Sequence, residues 1–192
     1  MKDWWQIWPR YFTNQECDAI VKLALQQPQE PTLRLGSIAL EGSKGKYTNS
    51  RKLNRLDADV DWLVTKLEHA FRRINGIAFQ FNLQYFYELI VTEYVGEASV
   101  PQDWTEDISW TTKRASQKKL TLMLQLSDSA DYNGGELLFE HNDLLHIMPN
   151  RLDLKSKGTI LVFPSFLKYT INPVTHGTCY KLATWYEGPH FS

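Results

Sequence analysis

The feature that most constrains the fold is the strict alternation of side chains over residues 119–127. Leucine stands at every second position of this segment: Leu120, Leu122, Leu124 and Leu126. Successive side chains of a β-strand point to opposite faces of a sheet, so a period of two predicts a strand with one leucine face buried. The chain therefore needs a sheet with at least one covered face.

The rest of the chain divides into helices first and strands afterwards. Thr13 and Glu16 have the spacing of a capping box, which predicts a helix from about Asn14 to Gln27. Apolar residues three and four apart over 60–74 predict a second helix, ended by Asn75-Gly76. Further strands are predicted at about 83–95, 136–141, 144–148, 159–163 and 178–186. This order predicts one α+β domain in which a curled sandwich or barrel packs against helices.

Composition narrows the functional classes. The chain has 192 residues, with 21 Lys and Arg against 22 Asp and Glu, so its net charge of −1 gives no support for nucleic-acid binding. Two cysteines are too few for a disulfide scaffold or a cysteine-rich zinc site, whereas five histidines leave room for a metal. The N-terminus is not of signal-peptide type, and no stretch is long and apolar enough to span a membrane. An intracellular protein is expected, without a membrane partner.

Seven short motifs in the C-terminal half carry a family resemblance. They are KKLTL (118–122), QLSD (125–128), DYNGGEL (131–137), GT (158–159), VFPSFL (162–167), PVTHGT (173–178) and WYEGPHF (185–191). Together they resemble the Fe(II)/2-oxoglutarate-dependent dioxygenases, specifically the small prolyl-4-hydroxylase-like group. The resemblance implies a double-stranded β-helix, or jelly roll, with N-terminal helices packed on one sheet. It implies a single domain over 1–192, helical to about residue 76 and jelly roll from about 77.

That family holds Fe(II) with two imidazoles and one carboxylate, and an arginine pairs with the distal carboxylate of 2-oxoglutarate. Carried over position by position, the first histidine is Thr105, the carboxylate is Asp107 and the second histidine is Tyr169. The arginine is Cys179, and a following family serine is Lys181. Asp107 is the one ligand-type residue retained at these positions. The sequence therefore predicts no metal and no cofactor, with Fe(II) and 2-oxoglutarate as the alternative if other residues supply the ligands.

Other residues were candidates for a rearranged site. His141 and Asp143 form a literal His-x-Asp, but they lie between two short predicted strands and are expected at a hairpin tip. His146 is expected to pack, and His176 is expected to be exposed in a turn. Lys181 can meet a carboxylate as a point charge, although a solvated or pocket-mouth lysine is the preferred interpretation.

Two functional hypotheses follow. The first is a catalytically inactive dioxygenase-fold protein that serves as a protein-binding or structural subunit. A bacteriophage virion component (neck, tail, baseplate or decoration) assembled in the host cytoplasm would be one such role. The second is a divergent hydroxylase acting on prolyl or other protein side chains. Trp4, Trp5 and Trp8 are the expected partner-binding residues, because tryptophan dominates interface hot spots.

Overall fold

A large antiparallel sheet dominates the computed structural model, which describes residues 4–29, 48–96, 103–111, 114–140 and 154–191. The predictions for His141, Asp143, His146 and a strand at 144–148 lie outside these residues. No helix in the described part of the chain combines the length and apolar character needed to cross a membrane.

The strands of the described residues are β1 (Gln6–Trp8), β2 (Thr48–Leu53), β3 (Tyr85–Val95), β4 (Ser116–Gln125), β5 (Tyr132–Gly134), β6 (Leu137–Phe139), β7 (Ile160–Pro164), β8 (Tyr169–Ile171) and β9 (Val174–Pro189). The large sheet has the strand order β1-β7-β4-β9-β3-β2, with β5 pairing on β9, and a second sheet pairs β6 with β8. The pairings among these strands are antiparallel.

Two α-helices precede the main run of strands, as the sequence predicts. Helix α1 (Asn14–Leu25) begins with the predicted capping box. The Thr13 hydroxyl accepts from the Glu16 backbone N–H at 3.2 Å, and the Glu16 carboxylate accepts from the Thr13 N–H at 2.7 Å. Helix α2 (Asp61–Ile74) ends where predicted, but one π-helical turn, Asn75–Phe79, continues from it.

The alternation in β4 decides where the cores lie. Leu120, Leu122 and Leu124 are completely buried in a core shared with α1 and α2. The intervening side chains face the other way, and Met123 belongs to a second core that includes Phe163 of β7. That second core also contains residues of β6 and β8, so it lies between the two sheets. The candidate site belongs to this inner face.

The N-terminal part is less purely helical than predicted. β1 and β2 form the two edges of the large sheet, and the sequence marks neither as a clear strand. β5 and β8 were also missed, because three-residue strands are too short to show a period. His176 is exposed as expected, but it lies within β9 opposite Asn133 and not in a turn, since β9 extends back to Val174.

Candidate functional site

Backbone pairing brings Thr105, Asp107 and Tyr169 together. Thr105 and Tyr169 exchange backbone hydrogen bonds of 2.9 and 2.8 Å. Two residues further on, the backbone N–H groups of Asp107 and Ile108 both donate to the Ser165 carbonyl at 3.0 Å. The segment 103–111 is thus held along β8 and the end of β7. The three positions converge, as the resemblance implies for residues of one site.

The Asp107 carboxylate is the centre of a buried hydrogen-bonded cluster, here called the Asp107 cluster: Asp107, Thr121, Ser165 and Tyr169. The Thr121 hydroxyl donates to Asp107 Oδ2 at 2.8 Å, and the Tyr169 hydroxyl donates to Oδ1 at 3.3 Å. The Ser165 and Thr121 hydroxyls are 3.0 Å apart. Because the Thr121 proton points to Asp107, Ser165 is the donor in that contact. All four residues are buried.

Burial dominates the electrostatics of this cluster. Desolvation raises the pKa of Asp107, against the opposing effects of Lys118 and of hydrogen bonds from Trp185, Thr121 and Tyr169. Burial also raises the pKa of Tyr169 well above its usual value, helped by the nearby Asp107 carboxylate. The phenol therefore keeps its proton and acts as a donor. The arrangement suits holding a carboxyl group in place, and it offers no free nucleophile.

Lys118 lies close enough to the Asp107 carboxylate to interact with it electrostatically. Its ammonium lies 3.7 Å from the centroid of the Trp185 ring. Burial lowers the pKa of Lys118, while the carboxylates of Asp107, Glu88 and Glu187 oppose that shift. A lysine thus supplies positive charge near the one retained ligand-type carboxylate.

Cys179 and Lys181 meet at the side chain of Gln125. The fully buried Cys179 thiol lies 3.5 Å from Gln125 Nε2, which also donates to the Tyr132 hydroxyl at 3.0 Å. Lys181 is half-buried and donates to Gln125 Oε1 at 2.8 Å. Gln125 and Lys181 line a cavity of about 40 Å³ with apolar walls that include Leu137. The lysine is therefore at a pocket wall and hydrogen-bonded to an amide.

The sequence missed Thr121, Ser165 and Gln125 as site residues. Thr121 and Gln125 occupy the strand positions between the leucines of β4, so the same alternation that buries the leucines directs these polar side chains inward. A polar residue at an inward position of a buried strand was the available signal. Ser165 carried no such signal, because it lies in a scaffold motif just beyond β7.

Two of the three predicted partner-binding tryptophans pack within the domain. The Trp5 ring stacks on Phe139, with centroids 5.0 Å apart. Trp8 contacts Tyr11 at 5.6 Å, and the Arg73 guanidinium lies 5.2 Å from its centroid. Trp4 remains 42% exposed. Trp5 and Trp8 are half-buried, and binding of a partner by the three tryptophans stays a prediction.

Known proteins match this chain by structure and not by overall sequence. No protein-family model matches the sequence, and no curated protein matches it. A Pseudomonas putida prolyl-4-hydroxylase matches 98% of this chain over 95% of its own, with a TM-score of 0.71 and 14% identity. The viral collagen prolyl hydroxylase of Paramecium Bursaria Chlorella virus-1, in complex with 2OG, matches 98% of both chains, with a TM-score of 0.67 and 14% identity.

A 2OG-Fe(II) oxygenase-family oxidoreductase from Burkholderia pseudomallei matches 95% of this chain over 84% of its own, with a TM-score of 0.67 and 15% identity. The chain has the fold of the 2OG-Fe(II) oxygenases. The predicted jelly roll is thereby confirmed. The prediction that no cofactor belongs here is wrong for this fold, because these matches are 2OG-Fe(II) oxygenases and prolyl hydroxylases, one of them in complex with 2OG.

Among the described residues, the side chains that converge at these positions do not match the ligand set that the resemblance implies for Fe(II). The converging side chains are one carboxylate, one protonated phenol and the Thr105 hydroxyl, where the metal needs two imidazoles and a carboxylate. Both carboxylate oxygens of Asp107 already accept hydrogen bonds. Among the residues that the structure describes, no three His, Cys, Asp or Glu side chains form a group that could hold a metal.

Proposed function

We propose that the protein is a non-catalytic member of the dioxygenase fold that serves as a protein-binding or structural subunit. The hydrogen bond from Tyr169 to Asp107 carries this proposal. It joins the two side chains that the family resemblance assigns to a metal-binding histidine and the metal-binding carboxylate. In this chain the two side chains bind each other through a hydrogen bond, whereas in the family the corresponding side chains both bind the metal ion.

The surroundings of this contact support the same function. The Asp107 cluster is closed, since the carboxylate, the phenol and the two hydroxyls satisfy one another within the buried core. A satisfied buried network contributes to stability and to a unique packing, whereas a catalytic site needs groups that remain available to a substrate. The residues thus fit a structural role.

The far end of the pocket lacks the planar clamp that the family uses. An arginine can bind a carboxylate through two parallel hydrogen bonds, and a cysteine cannot. Here Cys179 is buried against Gln125, and Lys181 donates to the same amide. A co-substrate in this cavity would meet Lys181 and Lys155, the latter paired with Glu136, in place of an arginine fork, which disfavours the orientation that turnover requires.

Turnover of 2-oxoglutarate tests the proposal. The purified protein is incubated with Fe(II), ascorbate, oxygen and 2-oxoglutarate, and succinate is quantified with and without peptide substrates. A prolyl hydroxylase of the same fold is the positive control. We expect succinate no higher than with the Asp107→Ala variant. Repeated turnover by the wild-type protein, lost in Asp107→Ala, would contradict the proposal.

The more specific assignment to a phage virion rests on the family resemblance alone and stays a prediction. Assembly distinguishes a structural subunit from a binding protein. Light scattering across a range of protein concentrations reports whether the chain forms closed rings or larger assemblies alone. A virion subunit that forms rings is expected to increase in molar mass with protein concentration. A binding protein is expected to keep one small molar mass at all concentrations.

A further inference from the structure

A cluster of aromatic side chains lies on the surface around Phe191. The Phe191 ring has its centroid 5.2 Å from that of Phe81, 5.7 Å from Phe166 and 6.4 Å from Trp110. Three separate parts of the chain therefore meet the C-terminal aromatic residue. We call these four residues the Phe191 cluster. The sequence did not single it out, because its members are far apart in the chain.

The cluster remains partly open to solvent. Trp110 is 57% exposed, and Phe81, Phe166 and Phe191 are each half-buried. Isolated exposed apolar residues are ordinary, but contiguous aromatic surface marks interaction sites. Tryptophan and other aromatic residues are also enriched at the energetic centres of protein interfaces.

A lysine ammonium lies directly on this cluster. Lys119 Nζ is 3.3 Å from the centroid of the Phe191 ring, and the residue as a whole is only 3% exposed. Among the described residues, this ammonium has no hydrogen bond and no ion pair. Desolvation lowers the pKa of Lys119, and no carboxylate of a described residue opposes the shift. Neighbouring Lys118, in contrast, has three carboxylates near it.

The Lys119 ammonium, which has no anionic partner among the described residues, indicates that this surface binds an anion. Taking an ammonium out of water is costly unless an anion compensates it, and a ring face compensates it only in part. The Phe191 ring beside the Lys119 ammonium is half-buried and Trp110 is 57% exposed, so the surface next to the ammonium is open to solvent. A carboxylate placed there would complete a charge-assisted hydrogen bond inside an aromatic surround.

We propose that the Phe191 cluster and Lys119 form a docking surface for an acidic peptide segment of a protein partner. An Asp or Glu carboxylate of the segment pairs with Lys119, and an adjacent apolar side chain packs on Trp110. The inference rests on the protein-binding role proposed above and specifies where that binding occurs. Both charge and exposed ring area favour a peptide that combines an anion with apolar groups.

Selection from a random 12-residue peptide library on phage tests this surface. The library is selected on the intact wild-type chain and counter-selected on Lys119→Gln. We expect enriched peptides to place Asp or Glu beside an aromatic or aliphatic residue. Synthetic copies, measured by fluorescence polarisation, are expected to bind at least about tenfold more weakly to Lys119→Gln and to Trp110→Ala.

Two control variants show whether any loss of peptide binding is specific to the Lys119 charge and to the Phe191 cluster. Lys119→Arg keeps the charge and is expected to retain binding, and Leu56→Ala alters a residue that is 83% exposed outside the cluster and is expected to bind normally. Thermal melting shows whether each variant folds, and Trp110→Ala changes an exposed side chain if Lys119→Gln does not fold. Failure to enrich any peptide, enrichment of uncharged peptides, or equal binding to the variants would overturn the docking surface.

The two proposals fail separately. Succinate formation together with the expected peptide binding would overturn the non-catalytic function and leave the docking surface in place. Absence of turnover together with peptides that ignore Lys119 and Trp110 would leave the non-catalytic function in place and remove this surface.

Discussion

At the scale of single residues, Asp107 shows how hydroxyl donors can hold a buried carboxylate in this fold. A buried carboxyl group without partners is strongly destabilising. Here Thr121 and Tyr169 donate to its two oxygens, and Ser165 donates in turn to Thr121. The Tyr169 hydroxyl is therefore a specific hydrogen-bond donor to the Asp107 carboxylate.

Removing the Tyr169 hydroxyl is expected to destabilise the fold. Tyr169→Phe leaves one oxygen of a buried carboxyl group without its donor, which costs about 1–3 kcal/mol. The free energy of unfolding, measured by urea denaturation, checks this value. Tyr85→Phe is the control. Tyr85 is 61% exposed, so removing its hydroxyl is expected to change the free energy of unfolding little. Equal stabilities of the two variants would refute the assigned role of the Tyr169 hydroxyl.

Glu93 gives the fold a predicted dependence on pH. Burial alone would raise its pKa, but hydrogen bonds from Tyr180 at 2.6 Å, from Asn49 at 3.0 Å and from Arg51 at 3.3 Å leave the pKa below its ordinary value of 4.5. A lowered pKa in the folded state means that the stabilisation is present above pH 4.5. It is lost as the pH falls through the folded-state value.

The Glu93→Gln variant tests that dependence. Its free energy of unfolding is expected to fall less steeply than that of the wild type as the pH is lowered from about 5 to 3. The comparison uses urea denaturation at a series of pH values. Glu88→Gln, on the same strand in a more exposed ion pair with Lys52, serves as the control. Parallel curves for wild type and Glu93→Gln would exclude the contribution.

At the scale of elements, strong local patterns predicted the structure and weak ones did not. The leucines of β4 and the capping box of α1 each follow a rule that acts within a few residues, and both appear as predicted. β1, β5 and β8 are three residues long and are defined by the strands beside them. Their pairing depends on contacts far apart in sequence, which a local pattern does not contain.

The cap of α1 is expected to contribute measurably to stability. Thr13→Ala removes the hydroxyl that accepts from the Glu16 N–H, and such losses cost about 1 kcal/mol. Thr13→Ser keeps the acceptor and is expected to unfold with nearly wild-type free energy. Thermal unfolding monitored by circular dichroism compares the three proteins. An unchanged stability of Thr13→Ala would show that the α1 packing residues alone fix the helix start.

At the scale of the whole molecule, the sequence motifs indicate which positions correspond to the family's site, and what this chain uses them for is a proposal. Thr105, Asp107 and Tyr169 converge because the motifs around them fix the strands that carry them. The proposed docking surface could not be predicted from sequence motifs. Trp5 and Trp8 are half-buried against neighbouring rings and Trp110 is 57% exposed, and only three-dimensional packing shows this difference.

Introducing the residue types that the resemblance implies tests whether this fold can support the family's chemistry. A Thr105→His/Tyr169→His/Cys179→Arg variant restores the residue types that the resemblance calls for. If the strands still hold these positions in register, the variant is expected to release succinate from 2-oxoglutarate at least about tenfold faster than the wild type. A folded variant with no gain would show that the scaffold has diverged beyond these three side chains.

Succinate release by the wild-type protein decides whether the protein is non-catalytic. With Fe(II), ascorbate, oxygen and 2-oxoglutarate at saturating concentrations, we expect a signal equal to that of Asp107→Ala, because the Tyr169 and Thr121 hydroxyls already donate to both oxygens of the Asp107 carboxylate. Several equivalents of succinate per protein, dependent on Asp107, would contradict it.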